Sequence, residues 1–116
     1  MFNLIYKNME LPKYIYRNQD HAISIFDDNA EEMYTIIYNQ IKSGFENDEK
    51  EISICTIYLS DDDSVISMVI KSSQWLKSLK NAIKKFEELE NYELCIDIKD
   101  LINKIKDKRK SDKSKG

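Results

Sequence analysis

Between Trp75 and Ile105, apolar residues recur at three- and four-residue steps in two successive runs, and this pattern narrows the possible folds more than any other. Trp75, Leu76, Leu79, Ile83, Phe86 and Leu89 form the first stripe. Tyr92, Leu94, Cys95, Ile98, Leu101, Ile102 and Ile105 form the second. Each spacing is that of an amphipathic helix with one buried face. The polar pair Glu90 and Asn91 interrupts the pattern, so the two runs predict a helical hairpin rather than one long rod. Ser72 and Ser73 stand where caps are expected for a first helix starting near Gln74.

Upstream, the periodicity changes. "ISICTIYL" and "VISMVIK" are rich in β-branched residues and flank "SDDDS", which predicts an antiparallel hairpin. Before them, "DDNAEEMYTIIYNQIKSGF" places Met33, Ile36, Ile37 and Ile41 on one helical face over about residues 29 to 43. Asp28 is its expected cap, Glu31 and Glu32 suit the positive end of its dipole, and Gly44 is its expected stop. "HAISIFDD" alternates, with Ile23 and Ile25 on one side and Ala22, Ser24 and Phe26 on the other, which predicts a short strand. "FNLIY" and "KYIYR" read as extended segments separated by Pro12. The expected order is β, β, α, β, β, α, α. This is an α+β domain over residues 1–106, with a small, mainly antiparallel sheet, helices on one face and a C-terminal helical hairpin. Residues 107–116 are expected to be a basic flexible tail.

Composition limits the chemistry. A chain of 116 residues with 41% hydrophobic and 34% charged residues can bury one core. Its two glycines, Gly44 and Gly116, cannot build a glycine-rich phosphate loop. Cys55 and Cys95 fall within apolar segments, away from each other and from His21, and read as small buried hydrophobes. No run is long and apolar enough for a membrane crossing, so the expected location is the cytoplasm of a host cell, or a virion. From Lys104 onward, seven Lys or Arg face Asp107 and Asp112, a local balance of +5. With a formal total of −3, the rest of the chain carries −8.

Candidate functional residues fall into few groups. Asp61, Asp62 and Asp63 form the densest carboxylate cluster, but they lack the alternate ligand spacing and the glycine of a calcium loop and read as turn residues. His21 is the only imidazole, with no nucleophile in a recognisable motif beside it. In "KYIYR", Tyr14 and Tyr16 interleave with Lys13 and Arg17. Aromatics beside cations on a sheet can stack single-stranded bases, and Lys108, Arg109 and Lys110 would add phosphate contacts at a strength that fades with salt. Core packing with hydroxyls at the rim is the plainer expectation for these tyrosines. Glu87, Glu88, Glu90 and Glu93 form an acidic shoulder on the hairpin.

"NYELCIDIKDLINKIK" resembles the second half of the UVR motif, a helical hairpin shared by the B and C subunits of bacterial nucleotide-excision repair and some protein-quality-control adaptors. Tyr92 and Glu93 fill its aromatic-Glu pair, Cys95 and Ile96 stand where it has two alanines, and Ile98, Lys99 and Asp100 match its hydrophobic-Arg-Asp step with lysine for arginine. Leu79, Ile83 and Phe86 stand at its first-helix ladder, Phe86 being bulkier than the usual small residue; the likeness spans residues 76–106. It implies protein docking without repair activity. The chain as a whole resembles in style the small proteins of AT-rich bacteriophage and mobile-element genomes. The expectation is a non-enzymatic interaction module without cofactor or metal, binding a host or phage protein or assembling into a virion, whose C-terminal helical hairpin and sheet edge serve docking or self-association. Glu87, Glu88, Glu90, Tyr92, Glu93 and Lys99 are its expected contacts. The alternative is a nucleic-acid-associated regulator using Lys13, Tyr14, Tyr16, Arg17, Lys108, Arg109 and Lys110.

Overall fold

The computed structural model describes the backbone of residues 11–115 and the side chains of residues 11–111; the "FNLIY" segment lies outside this range. The chain forms strand β1 (Lys13–Tyr16), two single-turn helices α1 (Gln19–Ala22) and α2 (Ile25–Asp28), and the long helix α3 (Ala30–Glu46). Strands β2 (Glu51–Leu59) and β3 (Ser64–Lys71) follow, then a 3₁₀ turn, α4 (Trp75–Glu88) and α5 (Tyr92–Lys115). This is an α+β fold. Its sheet has the order β1-β2-β3, with β2 and β3 antiparallel as expected. β1 pairs parallel to β2, so the sheet is mixed. The reason is topological: the chain returns to the sheet through α3, and a crossover of that kind brings the next strand back in the same direction.

The expected strand at residues 21–28 is replaced by α1 and α2. The alternation rested on two isoleucines, and local hydrogen bonding outweighs it. The Asn18 side chain accepts from the His21 N–H, and the Ser24 hydroxyl donates to Asp28. Ile25 is buried, whereas Ile23 is 78% exposed, so the pair does not share a face.

Along β2, buried side chains shift phase, running Ile52, Ile54, then Cys55, Ile57, Leu59. A register irregularity between Ser53 and Cys55 leaves Ile54 as the extra residue. A bulge resets the pleat by one position, so Ile54 and Cys55 both point into the core. On β3, Ile66, Met68 and Ile70 pack inward while Val65, Ser67 and Val69 stay exposed. The helices therefore cover one face of the sheet.

Helix α3 presents Met33, Ile37 and Ile41 to that face and continues past Gly44 to Glu46, so Gly44 is not its stop. Gly44 is a contact point: a Cβ there would lie 2.7 Å from Ile52 Cγ2 and 3.1 Å from Trp75 Cη2. The helix ends two residues later. Glu49 N–H donates to the Gly44 carbonyl and Asp48 N–H to that of Phe45, with Asp48 left-handed at φ 58°. Its N-cap is Asn29 rather than Asp28, whose carboxylate accepts from Tyr16 and Ser24. Neither serine before α4 makes a side-chain cap; Ser72 opens the 3₁₀ turn, and Gln74 is the cap residue.

The hairpin of α4 and α5 forms as the stripes predict. Trp75, Leu79, Ala82 and Phe86 of α4, and Cys95, Ile98, Leu101, Ile102 and Ile105 of α5, are buried in the same cluster as α3 and the sheet. Trp75 is further fixed by its indole N–H, which donates to the Ile70 carbonyl at 3.0 Å.

Two substitutions test this packing by urea denaturation. Gly44→Ala gains helix propensity but presses on β-branched Ile52 beside its own backbone; we expect a net loss of about 1–2 kcal/mol. Glu90→Gly, which relieves a left-handed residue at φ 60°, is expected to raise stability by about 1 kcal/mol.

Candidate docking surface at the hairpin tip

The turn that closes the hairpin is built from backbone groups. Asn91 N–H donates to the Phe86 carbonyl at 2.8 Å and Glu90 N–H to that of Glu87 at 3.1 Å, while Glu90 takes the left-handed conformation. The Asn91 side chain then accepts from the Leu94 N–H at 3.3 Å, so one residue ends α4 and caps α5.

This geometry places apolar side chains in solvent. Leu89, expected in the core stripe, lies past the last turn of α4 and is 47% exposed. Tyr92 and Ile96 are 59% and 60% exposed. With Lys99 they lie at four- and three-residue steps, on a face of α5 turned away from buried Cys95, Ile98 and Ile102. Glu87, Glu88, Glu90 and Glu93 are all exposed around the same tip. Glu88 pairs with Lys85 at 3.1 Å, an exposed contact of small energetic weight. The six expected contact residues thus sit on one end of the hairpin. Sequence reading missed Leu89 and Ile96 as surface groups. For Ile96, a signal existed: its helical angle falls outside the stripe traced by Cys95, Ile98 and Leu101.

The residues of the nucleic-acid alternative are distributed differently. Tyr14 and Tyr16 are half-buried against the core, and their hydroxyls donate to Glu32 and Asp28. Burial and those carboxylates push both phenols upward in pKa. Lys13 lies over the Tyr58 ring, 5.2 Å from its centroid, and Arg17 pairs with Asp61 at 3.3 Å. The basic end of the chain is helical as far as Lys115. Lys108 binds Asp48 and lies over Phe45, and Arg109 donates to the Ser72 carbonyl at 2.7 Å. Arg17 therefore sits at the Asp61 end of the β2–β3 hairpin and Arg109 at its Ser72 end, roughly 25 Å apart along the strands. The structure does not bring these cations into one patch. Lys110 is exposed on α5.

Each aspartate of the β2–β3 loop has turn work of its own. Asp61 accepts from Arg17 and Asn18, Asp62 from the Ser64 N–H, and Asp63 from the Tyr58 hydroxyl. The Ser64 hydroxyl and N–H hold Asp62 below the ordinary carboxylate pKa. No group of three His, Cys, Asp or Glu among the described residues is placed to hold a metal ion. Exposed His21 serves α1 through its backbone, its N–H donating to Asn18. Cys55 and Cys95 are free and buried, and burial raises both thiol pKa values. No helix among the described residues is long and apolar enough to cross a membrane.

Comparison with family models, curated proteins and solved structures gives no match for this chain.

One electrostatic contact in this region is directly testable. Lys108 donates to Asp48 and holds its carboxyl below the ordinary value of 3.8. The pair therefore favours the folded state fully above pH 3.8, and this contribution is lost as pH falls through the lower folded pKa. In Lys108→Met, an NMR titration of Asp48 is expected to show the pKa rising toward the unperturbed value.

Proposed function

We propose that this chain is a non-enzymatic protein-interaction module that docks a partner protein through the tip of its helical hairpin. The observation that carries the reading is the exposed set Leu89, Tyr92 and Ile96 at and just after a hydrogen-bonded turn, ringed by Glu87, Glu88, Glu90 and Glu93 with Lys99 one turn along. An aromatic side chain beside aliphatic ones on a pre-formed turn supplies apolar area at low ordering cost, and an acidic rim favours a basic surface opposite. The resemblance of residues 76–106 to a protein-docking hairpin agrees with this reading. The likeness in style to small bacteriophage and mobile-element proteins further suggests a partner that is a host factor or a virion component. The two versions separate by mass spectrometry of particles, where only a structural component is stoichiometric.

The test uses the full chain as bait in a native lysate. A Tyr92→Ser/Ile96→Ser double variant, both positions being exposed, is expected to keep its thermal stability yet lose at least about tenfold in affinity for the captured partner. Equal capture by this variant, or a catalytic turnover abolished by changing His21 or Asp61–Asp63, would remove the proposal.

A further inference from the structure

A second surface, away from the hairpin tip, carries an inference independent of the reading above. Strand β3 is an edge of the sheet, eight residues long, and among the described residues no strand pairs with its outer side. Proteins commonly block such edges with proline, bulges or charges within the strand. β1, the opposite edge, has four residues, follows Pro12 and carries Lys13. β3 has none of these devices from Ser64 to Ile70, its one charge being Lys71 at the far end, and the bulge of this hairpin lies on β2 instead.

The direction of its free hydrogen-bonding groups can be derived. Ser72 N–H donates to the Lys50 carbonyl, and the register next to it pairs Glu51 with Lys71 and Ile52 with Ile70. Alternation along an antiparallel ladder then turns the N–H and C=O groups of Ser64, Ile66, Met68 and Ile70 toward β2. Those of Val65, Ser67, Val69 and Lys71 point outward. The side chains of these same residues lie on the open face, Val65 being 62% and Val69 43% exposed.

The geometry points to a second copy of this chain as the occupant, paired antiparallel along β3 about a two-fold axis at Ser67. In that register, Val65 lies opposite the partner's Val69 on both sides of the axis, and Lys71 at each strand end comes against the partner's Asp63, the left-handed turn residue that precedes β3. About six main-chain hydrogen bonds form, joining two three-stranded sheets into one of six strands. The same register sets each Ser72 against the partner's Asp62. Arg109, which donates to the Ser72 carbonyl, is thereby carried toward the partner's acidic Asp61–Asp63 loop. Moving the axis to Met68 loses both pairings, and moving it to Ile66 loses the valine pairing while leaving Lys71 opposite the partner's Asp61, so valine and charge pair together only about Ser67. Main-chain groups, apolar side chains and charge are thus self-complementary in one register.

Sedimentation velocity of the full chain reads this out, with the fold of every variant checked by circular dichroism. The intact chain is expected to show a concentration-dependent dimer below about 100 μM. Ser67→Pro, which removes the central outward N–H from an edge position, is expected to leave a folded monomer. Asp63→Lys and Lys71→Asp are each expected to weaken the dimer by about tenfold, and the combined swap to restore it to within about threefold. The Tyr92→Ser/Ile96→Ser variant should dimerise unchanged, which separates this edge from the hairpin tip. A chain that stays monomeric at that concentration, a dimer indifferent to Ser67→Pro, or a charge swap that fails to restore pairing would each overturn the assignment.

Discussion

The fold-back of α5 onto α4 rests on a turn in which the Phe86 carbonyl accepts the Asn91 N–H while Glu90 adopts the left-handed conformation. Without that reversal, the buried stripe of α5 from Cys95 to Ile105 would have no surface to pack on, and the core shared by α3, α4 and the sheet would lose one wall. Glycine usually occupies such a position, because a Cβ is disfavoured there. Here glutamate does, and the surrounding structure holds it: Phe86 is fully packed on one side, and the Asn91 side chain caps the next helix on the other. The same turn stops helix α4 at Glu88, one residue short of Leu89, and turns Tyr92 outward. Closing the hairpin and exposing its tip are therefore consequences of one backbone geometry.

Charge follows a similar economy of position. The body of the chain is acidic and the end of α5 basic, yet two basic residues of that end, Lys108 and Arg109, point back to the fold. Lys108 reaches Asp48 and the Phe45 ring at the end of α3, and Arg109 reaches the carbonyl that ends β3. Both contacts anchor the last turns of a long helix near the base of the sheet, opposite the loop of Asp61–Asp63. The aspartates are likewise engaged with Arg17, Ser64 and Tyr58. Groups that look like ligands in the sequence act here as turn and strand-end contacts.

Legibility in the sequence followed the length of each pattern. The stripes of α3, α4 and α5 and the β2–β3 hairpin repeat over many residues, and each formed where the spacing predicts. The stretch "HAISIFDD" had only Ile23 and Ile25 to support alternation, and three polar side chains, Asn18, Ser24 and Asp28, redirected it into two single turns. Gly44 read as a helix stop because glycine so often ends helices. Its role depends on Ile52 and Trp75, which are distant in sequence and brought close only by packing. The bulge at Ile54 was hidden for a related reason: "ISICTI" alternates cleanly only until two adjacent side chains must both be buried. At the hairpin tip, the acidic ring was legible as surface and the helical angle of Ile96 set it outside the buried stripe, whereas Tyr92 read both as a contact and as part of that stripe, and Leu89 needed the turn geometry to be placed.

The central claim, that the hairpin tip is an interface, is tested most directly by amide hydrogen exchange of the full chain alone and in a purified complex with its captured partner. The account predicts that slowed exchange on binding concentrates in residues 87–99, with α3 unchanged. Protection confined to the sheet or to α3, with the tip exchanging as in the free chain, would contradict it.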